Sequence, residues 1–179
     1  MKILLGISAS ISAYKACDLV RQWTKEGHEV KVIMTKHATE LVSPLTLKVI
    51  SKQEVGVSMM EEENPSEIQH ITLAQTCDVF VIAPASANII GKLANGIADD
   101  LLSTIALAVP QHTAKYIAPA MNTIMYQNPA VQRNLQQLKE DGYQEIEPRS
   151  GELACGVTGK GALAEISTII DAIKQNNKK

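Results

Sequence analysis

The chain alternates short, largely apolar segments with longer segments in which apolar residues recur at helical spacing. The clearest apolar segment runs from Asp78 to Pro84, and similar segments cover residues 2–8, 29–35 and 114–120. A further short strand is predicted at 144–147. Strands that are apolar on both faces are typical of parallel sheets that lie between two layers of helices. A regular alternation of strand and helix predicts right-handed crossovers between parallel neighbours.

Helices are predicted between these strands. Most of them show amphipathic patterns and end at proline or glycine. The predicted helices cover residues 12–26, 36–52, an Ala/Leu/Ile-rich region that extends to Val109, 129–142 and 166–174. The second of them is expected to break at Pro44, where Ser43 can cap the second piece. Residues 54–67 lose periodicity and are interpreted as a surface excursion, whereas 151–161 are interpreted as a glycine-rich loop. The prediction is an α/β fold, a doubly wound (Rossmann-like or flavodoxin-like), mostly parallel sheet with helices on both faces.

Length and composition limit the classes of function. At 179 residues the chain is expected to form one domain, spanning 1–179. A net charge of -2 gives no electrostatic reason to expect nucleic acid or an anionic membrane as a partner. No apolar segment is long enough to cross a bilayer, and three scattered cysteines favour neither a disulfide framework nor a zinc site. We expect a cytoplasmic protein with reduced thiols and no metal.

Three turns after predicted strands are rich in small hydroxyl residues: 6–12, Thr35 together with Ser43, and 86–88. Hydroxyls and backbone N–H groups at helix N-termini suit phosphate. Only Gly6 stands where a dinucleotide fingerprint needs three glycines, and no Walker lysine pattern is present. A mononucleotide therefore fits these turns better than a dinucleotide or a nucleoside triphosphate. For any single turn a simple helix cap would be the favoured explanation, but three such turns on one predicted sheet edge favour a ligand.

Asn122 follows the apolar segment 114–120, at the sheet edge where open α/β folds place ligands. Its amide offers two donors and one acceptor, which suits a carboxylate. Met125 would lie on the same side if a helical turn begins at Asn122. The alternative is that Asn122 only caps the following helix.

Two further side chains are candidates for proton chemistry. His70 begins a short predicted helix and is either a base or a structural residue. Cys155 lies in the glycine-rich loop, where its local pKa would govern its chemistry. Cys17 and Cys77, by contrast, lie in periodic segments and are predicted to pack as small hydrophobic residues.

Four motifs appear in a characteristic order: the His70 segment, Pro-Ala-Ser-Ala-Asn (84–88), Pro-Ala-Met-Asn-Thr-Ile-Met (119–125) and Leu-Ala-Cys-Gly (153–156). In these motifs, and over residues 2–174, the chain resembles the homo-oligomeric flavin-containing cysteine decarboxylases. The resemblance implies that His70 is the catalytic base, that Asn122 and Met125 hold the substrate, and that Cys155 on a lid (149–165) donates a proton. It further implies that FMN is surrounded by Ser8, Ser10, Ile11, Thr35, Ser43, Ser86, Ala87, Asn88 and Ala120.

Within that family the chain looks more similar to the coenzyme A branch, whose small-molecule substrate is phosphopantothenoylcysteine, than to peptidyl-cysteine decarboxylases of lantibiotic precursors. A regulatory flavoprotein that has lost catalysis is a third possibility. The resemblance implies a homo-oligomer, a trimer or a multiple of trimers, with FMN at subunit interfaces and no fused synthetase domain. The chain departs from the family pattern at Ala9, where many members have Gly, and at Tyr126, where Trp is usual.

Overall fold

A computed structural model of the chain describes residues 1–59, 69–152 and 158–176. Its centre is a six-stranded sheet in which all neighbouring strands are parallel. The strands are β1 (Lys2–Ile7), β2 (Glu29–Met34), β3 (Val55–Gly56), β4 (Val79–Ala85), β5 (Ala114–Pro119) and β6 (Tyr143–Glu145). Their order across the sheet is β3-β2-β1-β4-β5-β6. The predicted doubly wound parallel sheet is thereby confirmed.

Eight α-helices are described, and short 3₁₀ turns at Ile11–Lys15 and Lys36–Glu40 follow β1 and β2. The helices are α1 (Ala16–Lys25), α2 (Pro44–Ser51), α3 (Gln69–Thr76), α4 (Ala87–Ala94), α5 (Leu101–Ala108), α6 (Thr123–Gln127), α7 (Pro129–Glu140) and α8 (Ile166–Asn176). None of the helices in the described ranges is long and apolar enough to span a bilayer.

The sheet separates two aliphatic cores. Ile3 and Leu5 of β1 point into a core with α1, α2 and α8, whereas Leu4 points into a core with α4, α5 and α7. Both faces of the central strands are therefore buried, which explains why their sequences are continuous apolar runs instead of alternating ones. Trp23 of α1 and Phe80 of β4 are among the largest fully buried side chains, one in each core.

Two sequence-based boundaries need correction. The excursion predicted for 54–67 begins with β3, a two-residue edge strand that pairs with β2 and is too short to show a period. The helical region that ends at Val109 is two helices, because the chain leaves α4 at Asn95 and Gly96 adopts a left-handed φ of 66°. The second helix, α5, begins with a capping box between Asp100 and Ser103.

The interpretation of 151–161 as a loop is wrong for its described residues. β7 (Arg149–Glu152) and β8 (Thr158–Ala162) form an antiparallel hairpin, with Gly151 opposite Gly159. Glycine lowers the strand signal of both segments, so only the pairing itself reveals them. The hairpin forms a second, two-stranded sheet beside the carboxyl edge of the main one.

The order of the strands fixes where a ligand can bind. The chain runs outward from β1 in one direction through β2 and β3, and in the other through β4, β5 and β6. The loops after β1 and β4 therefore diverge, and the crevice between them is the topological switch point at which open α/β sheets bind ligands.

Candidate functional site

A cleft of about 440 Å³ opens at this switch point. Three loops that follow strands β1, β4 and β5 form most of its wall, and the hairpin closes one side. Seven of the predicted site residues line it: Ser10, Ile11, Ser86, Ala87, Ala120, Asn122 and Met125. The cleft has the volume expected of a small-molecule or cofactor site.

Ser8 joins two of the three loops. It is buried, and its hydroxyl donates to Pro84 O (2.9 Å) while accepting from the backbone N–H of Ser86 (2.8 Å). The backbone N–H of Ser8 also donates to Pro84 O, at 3.2 Å. Ser8 therefore holds the crevice together from behind instead of lining it.

Ser10 and Ser86 begin the helical turns on the two sides of the crevice. Ser10 Oγ accepts from the Ser12 N–H, and Ser86 Oγ accepts from the Ile89 N–H, each at 3.4 Å. Both serines are therefore helix caps, as the alternative interpretation required, and both also lie in the cleft. The helical turns behind them present N–H groups that favour an anion.

Asn122 caps α6. Its Oδ1 accepts from the backbone N–H of Ile124 at 2.8 Å, which fixes the orientation of the amide. The helical turn that was predicted to bring Met125 to the same side is present, and 48% of Met125 is exposed at the cleft. The loop itself is tied to the neighbouring strand by the Ala120 N–H, which donates to Ala85 O at 3.0 Å.

Tyr126 anchors the other end of α6. Its hydroxyl donates to Glu145 Oε1 at 2.8 Å, and Lys139 pairs with the second oxygen of that carboxylate at 2.7 Å. Burial, together with the Glu145 carboxylate, raises the pKa of Tyr126, so its phenol stays a neutral donor. The short helix that carries Asn122 is thereby fixed to β6 and α7.

The hairpin packs directly on the start of α6. The Met121 N–H donates to Gly161 O at 2.9 Å, and a Cβ at position 161 would lie 2.4 Å from Met121 O. A Cβ at Gly159 would lie 2.6 Å from Thr123 Oγ1. Glycine at both positions therefore lets β8 approach the backbone that positions Asn122.

Thr35 bears on whether a polar ligand fits beside the cleft, although it is not among the residues that line it. It follows β2, and its N–H donates to Ile7 O at 3.0 Å, so it lies beside the end of β1. Its Oγ1 is buried and has no hydrogen-bond partner among the described residues. A buried hydroxyl without a partner is costly and calls for a ligand or water. The residues present thus fit the FMN expected from the sequence.

Other predicted residues lie elsewhere. Ser43 stands at the N-cap position of α2 but makes no side-chain capping bond, contrary to expectation, and it is exposed outside the cleft. Asn88 is exposed on the first turn of α4. His70 lies half-buried on α3 and is not among the residues that line the cleft. Cys155 and the central part of the lid lie outside the described residues.

The two described cysteines are packed as predicted. Cys17 borders one core and Cys77 the other, and neither forms a disulfide. Burial raises the pKa of the Cys77 thiol to about 11 and also raises that of Cys17. Neither thiol is activated for catalysis. The described residues also contain no group of three or more His, Cys, Asp or Glu side chains arranged to hold a metal ion.

Sequence reasoning missed several residues of the cleft wall. Lys15 and Tyr14 reach it from the 3₁₀ turn after β1, and Arg149 reaches it from β7. The strand signal of β7 was hidden by Gly151, so nothing in the local pattern placed Arg149 near the loop of Asn122. The one feature of the sequence that could have indicated Arg149 as a site residue was its positive charge beside the predicted glycine-rich loop.

Fold and cleft together define an open α/β domain with a small-molecule cleft at its switch point. The family described as Flavoprotein matches residues 1–178, and the chain belongs to that family.

Individual relatives agree with this assignment. A protein of Streptococcus mutans named "Probable phosphopantothenoylcysteine decarboxylase" is 51% identical over 174 residues, which are 97% of each chain. The "Coenzyme A biosynthesis bifunctional protein CoaBC" of Bacillus subtilis is 51% identical over 168 residues, or 94% of this chain. This chain spans only 41% of that bifunctional protein's length.

Two solved structures have the same fold. A PPC decarboxylase mutant complexed with pantothenoylaminoethenethiol superposes with a TM-score of 0.89 at 35% identity, covering 99% of this chain and 98% of the other. The FMN-dependent cysteine decarboxylase SpaF superposes with a TM-score of 0.82 at 32% identity, covering 96% of this chain and 94% of the other.

Proposed function

We propose that this protein is an FMN-dependent carboxy-lyase that converts 4'-phospho-N-pantothenoylcysteine to 4'-phosphopantetheine in coenzyme A biosynthesis. The observation that carries the proposal is the switch-point cleft, where Ser10, Ser86 and Asn122 line one cavity. The relative named for this decarboxylase is 51% identical, whereas the cysteine decarboxylase SpaF is 32% identical. That difference favours the coenzyme A branch over the peptidyl-cysteine branch. The presence of His70, Asn122 and Cys155 speaks against a regulatory flavoprotein.

Bound FMN would supply reversible two-electron oxidation of the cysteine thiol to a thioaldehyde, with no net redox change over the cycle. In the oxidised substrate the neighbouring C=S would accept the electron pair left by CO₂, which would make decarboxylation to an enethiolate easy. The loops of Ser10, Thr35 and Ser86 would hold the cofactor through their hydroxyls and N–H groups.

The protein's own residues supply the proton transfers and the orientation. Asn122 holds the substrate carboxylate through the amide whose orientation Ile124 fixes. Met125 covers the substrate from the same helix. His70 removes the thiol proton, and Cys155 gives a proton to the enethiolate carbon. These roles follow the family resemblance and are proposals for this chain.

We further propose that the chain acts in the cytoplasm. We also propose a homo-oligomer, a trimer or a multiple of trimers, with FMN at the subunit interfaces. Large apolar side chains at the surface support this assembly: Ile11 is 66% exposed, Leu45 67% and Val49 68%. Because His70 is not among the residues that line the cleft of its own chain, we propose that it acts in the cleft of a neighbouring subunit.

The decisive experiment incubates the purified protein with phosphopantothenoylcysteine and measures CO₂, product mass and the flavin absorption spectrum. We expect stoichiometric CO₂ and phosphopantetheine from a yellow protein that releases FMN on heating. His70→Asn and Asn122→Asp should keep FMN but abolish thiol oxidation, because the first removes the base and the second opposes the substrate's carboxylate with another. A colourless protein, or one that decarboxylates only peptides ending in cysteine, would contradict the proposal.

A further inference from the structure

The described residues that line the cleft carry positive charge and no negative charge. Lys15 and Arg149 are the cations, and no Asp or Glu is among the described lining residues. The whole chain has a net charge of -2, so this cavity is positive on a slightly acidic protein. Such a local excess attracts anionic ligands. The proposed reaction brings two phosphates to the cleft, one on FMN and one on the substrate.

Arg149 is placed on the substrate side of the cleft. It pairs with Ala162 across the hairpin, next to Gly161, whose carbonyl accepts from the Met121 N–H. The hairpin is thus joined to the loop that carries Asn122. The FMN phosphate is expected at the loops of Ser10 and Ser86, where helical turns begin.

The guanidinium group of Arg149 has room and unused donor capacity. Its side chain is 39% exposed, and Gly151 leaves space for Nη1, since a Cβ there would lie only 2.7 Å away. Nε forms an ion pair with Glu165 Oε1 at 2.9 Å but makes no hydrogen bond of acceptable geometry to any described residue. Glu165 is itself 60% exposed, so water screens this pair and its contribution to stability is small.

We infer that Arg149 binds the terminal phosphate monoester of the substrate, opposite the end whose carboxylate Asn122 holds. The planar guanidinium offers two parallel donors to phosphate oxygens, a geometry that lysine cannot reproduce. Glu165 holds the side chain over the cleft until the phosphate takes its place. The inference rests on the proposed function and adds to it a residue that separates phosphorylated pantetheine-type substrates from peptides ending in cysteine.

The test compares two substrates, phosphopantothenoylcysteine and its unphosphorylated analogue pantothenoylcysteine, in the holoenzyme. For each protein the quantity of interest is the ratio of kcat/KM for the phosphorylated substrate to that for the analogue. In Arg149→Ala this ratio should fall by about ten- to a hundredfold, the effect of losing a charge-assisted hydrogen bond. Arg149→Lys should recover part of the ratio, because it restores the charge without the fork.

Glu165→Gln is the matched control. It removes the ion pair of the hairpin but keeps the guanidinium group, so its ratio should equal or exceed that of the wild type. If Arg149 served only to hold the hairpin through Glu165, both variants would lose activity equally on the two substrates and the ratio would not change. That result would overturn the inference.

The binding of FMN to the cofactor-free protein separates the two phosphate sources. Flavin fluorescence should give nearly the same FMN dissociation constant for Arg149→Ala as for the wild type. A raised FMN dissociation constant with an unchanged substrate ratio would assign Arg149 to the cofactor and overturn the inference. Wild-type protein that decarboxylates neither substrate would overturn the proposed function, whereas wild-type turnover with an unaltered ratio in Arg149→Ala would overturn this inference alone.

Discussion

The hydroxyl of Tyr126 donates to Oε1 of Glu145 at 2.8 Å, which links the helix of the Asn122 loop to the edge strand β6. Only 5% of the Glu145 side chain is exposed, and its other oxygen pairs with Lys139. A buried carboxylate that loses one of two partners is left partly unsatisfied. The position at which the family usually has Trp thus carries a polar anchor in this chain.

Tyr126→Phe should therefore lower the free energy of unfolding by about 1–2 kcal/mol. Urea denaturation at pH 7 measures the change. Tyr14→Phe is the control: Tyr14 is 58% exposed, so its loss of a hydroxyl should change stability by less than about 0.5 kcal/mol. Equal stabilities for the two variants would show that the bond to Glu145 adds nothing.

Thr35→Val should have opposite effects on cofactor binding and on stability. In the cofactor-free protein, removing a buried hydroxyl that has no partner among the described residues should leave stability unchanged or raise it by up to about 1 kcal/mol. The FMN dissociation constant should rise by about tenfold, because the ligand loses a hydrogen bond. Thermal unfolding and flavin fluorescence measure the two effects.

The control for Thr35 is Thr39→Val on the same 3₁₀ turn. Thr39 Oγ1 donates to Lys36 O at 2.7 Å, so its removal should cost about 0.5–1 kcal/mol of stability and leave FMN binding as it was. Should Thr35→Val destabilise the cofactor-free protein as Thr39→Val does, the Thr35 hydroxyl has a partner other than the ligand.

Gly161→Ala should separate the hairpin from the Asn122 loop. The new Cβ would meet Met121 O at 2.4 Å, and backbone cannot rotate away as a side chain can. We expect a loss of about 1–3 kcal/mol of stability, the usual cost of overpacking, together with a raised substrate KM.

Gly91→Ala on α4 is the control. Its Cβ would meet only Asn134 Nδ2, at 3.6 Å, so it should stabilise the protein by about 0.5–1 kcal/mol. Wild-type stability and KM in Gly161→Ala would contradict the close approach.

Asp100 should make stability depend on pH in the acid range. Burial raises the pKa of this carboxyl, but hydrogen bonds from Lys92 and Ser103 outweigh burial and leave the pKa below its usual value. A lowered folded-state pKa means that the stabilisation is present above the unfolded-state pKa, near 4, and is lost as pH falls through the folded value.

Asp100→Asn keeps the helix cap but not the charge, so it should cost about 1 kcal/mol at pH 7. The difference from the wild type should shrink as urea denaturation is repeated from pH 7 down to pH 3. Asp99→Asn, whose side chain is 59% exposed, should change stability by less than about 0.5 kcal/mol at pH 7. If the difference in unfolding free energy between Asp100→Asn and the wild type stayed constant with pH, the charge of the Asp100 carboxylate would not be its cause.

Most of the sheet and part of the site could be predicted because parallel strands end at one edge. Ser10, Ser86 and Asn122 lie far apart in sequence, yet each follows a buried strand, so alternation alone brings them into one cleft. His70 lies on a helix, and helical period says nothing about how far a helix lies from that edge. Its placement outside the cleft could therefore not be deduced.

The hairpin was missed for a different reason. Gly151, Gly159 and Gly161 lower the intrinsic preference for strand, and β7 and β8 are formed by pairing with each other and by contact with α6. The break between α4 and α5 has a local signal in the sequence, since Asp100 and Ser103 have the spacing of a capping box and Gly96 precedes them. The sequence on both sides is rich in alanine and leucine, which favour helix, and this composition led to the prediction of one continuous helical region.

The bonds of Ser8 also couple the two loops of the crevice. A serine hydroxyl has one hydrogen and two lone pairs. The hydrogen goes to Pro84 O, and the Ser86 N–H occupies one lone pair. Both partners lie at the end of β4, whereas Ser8 follows β1, so the two loops can separate only if both bonds break. The width of the crevice between them is therefore set by the protein itself before any ligand arrives.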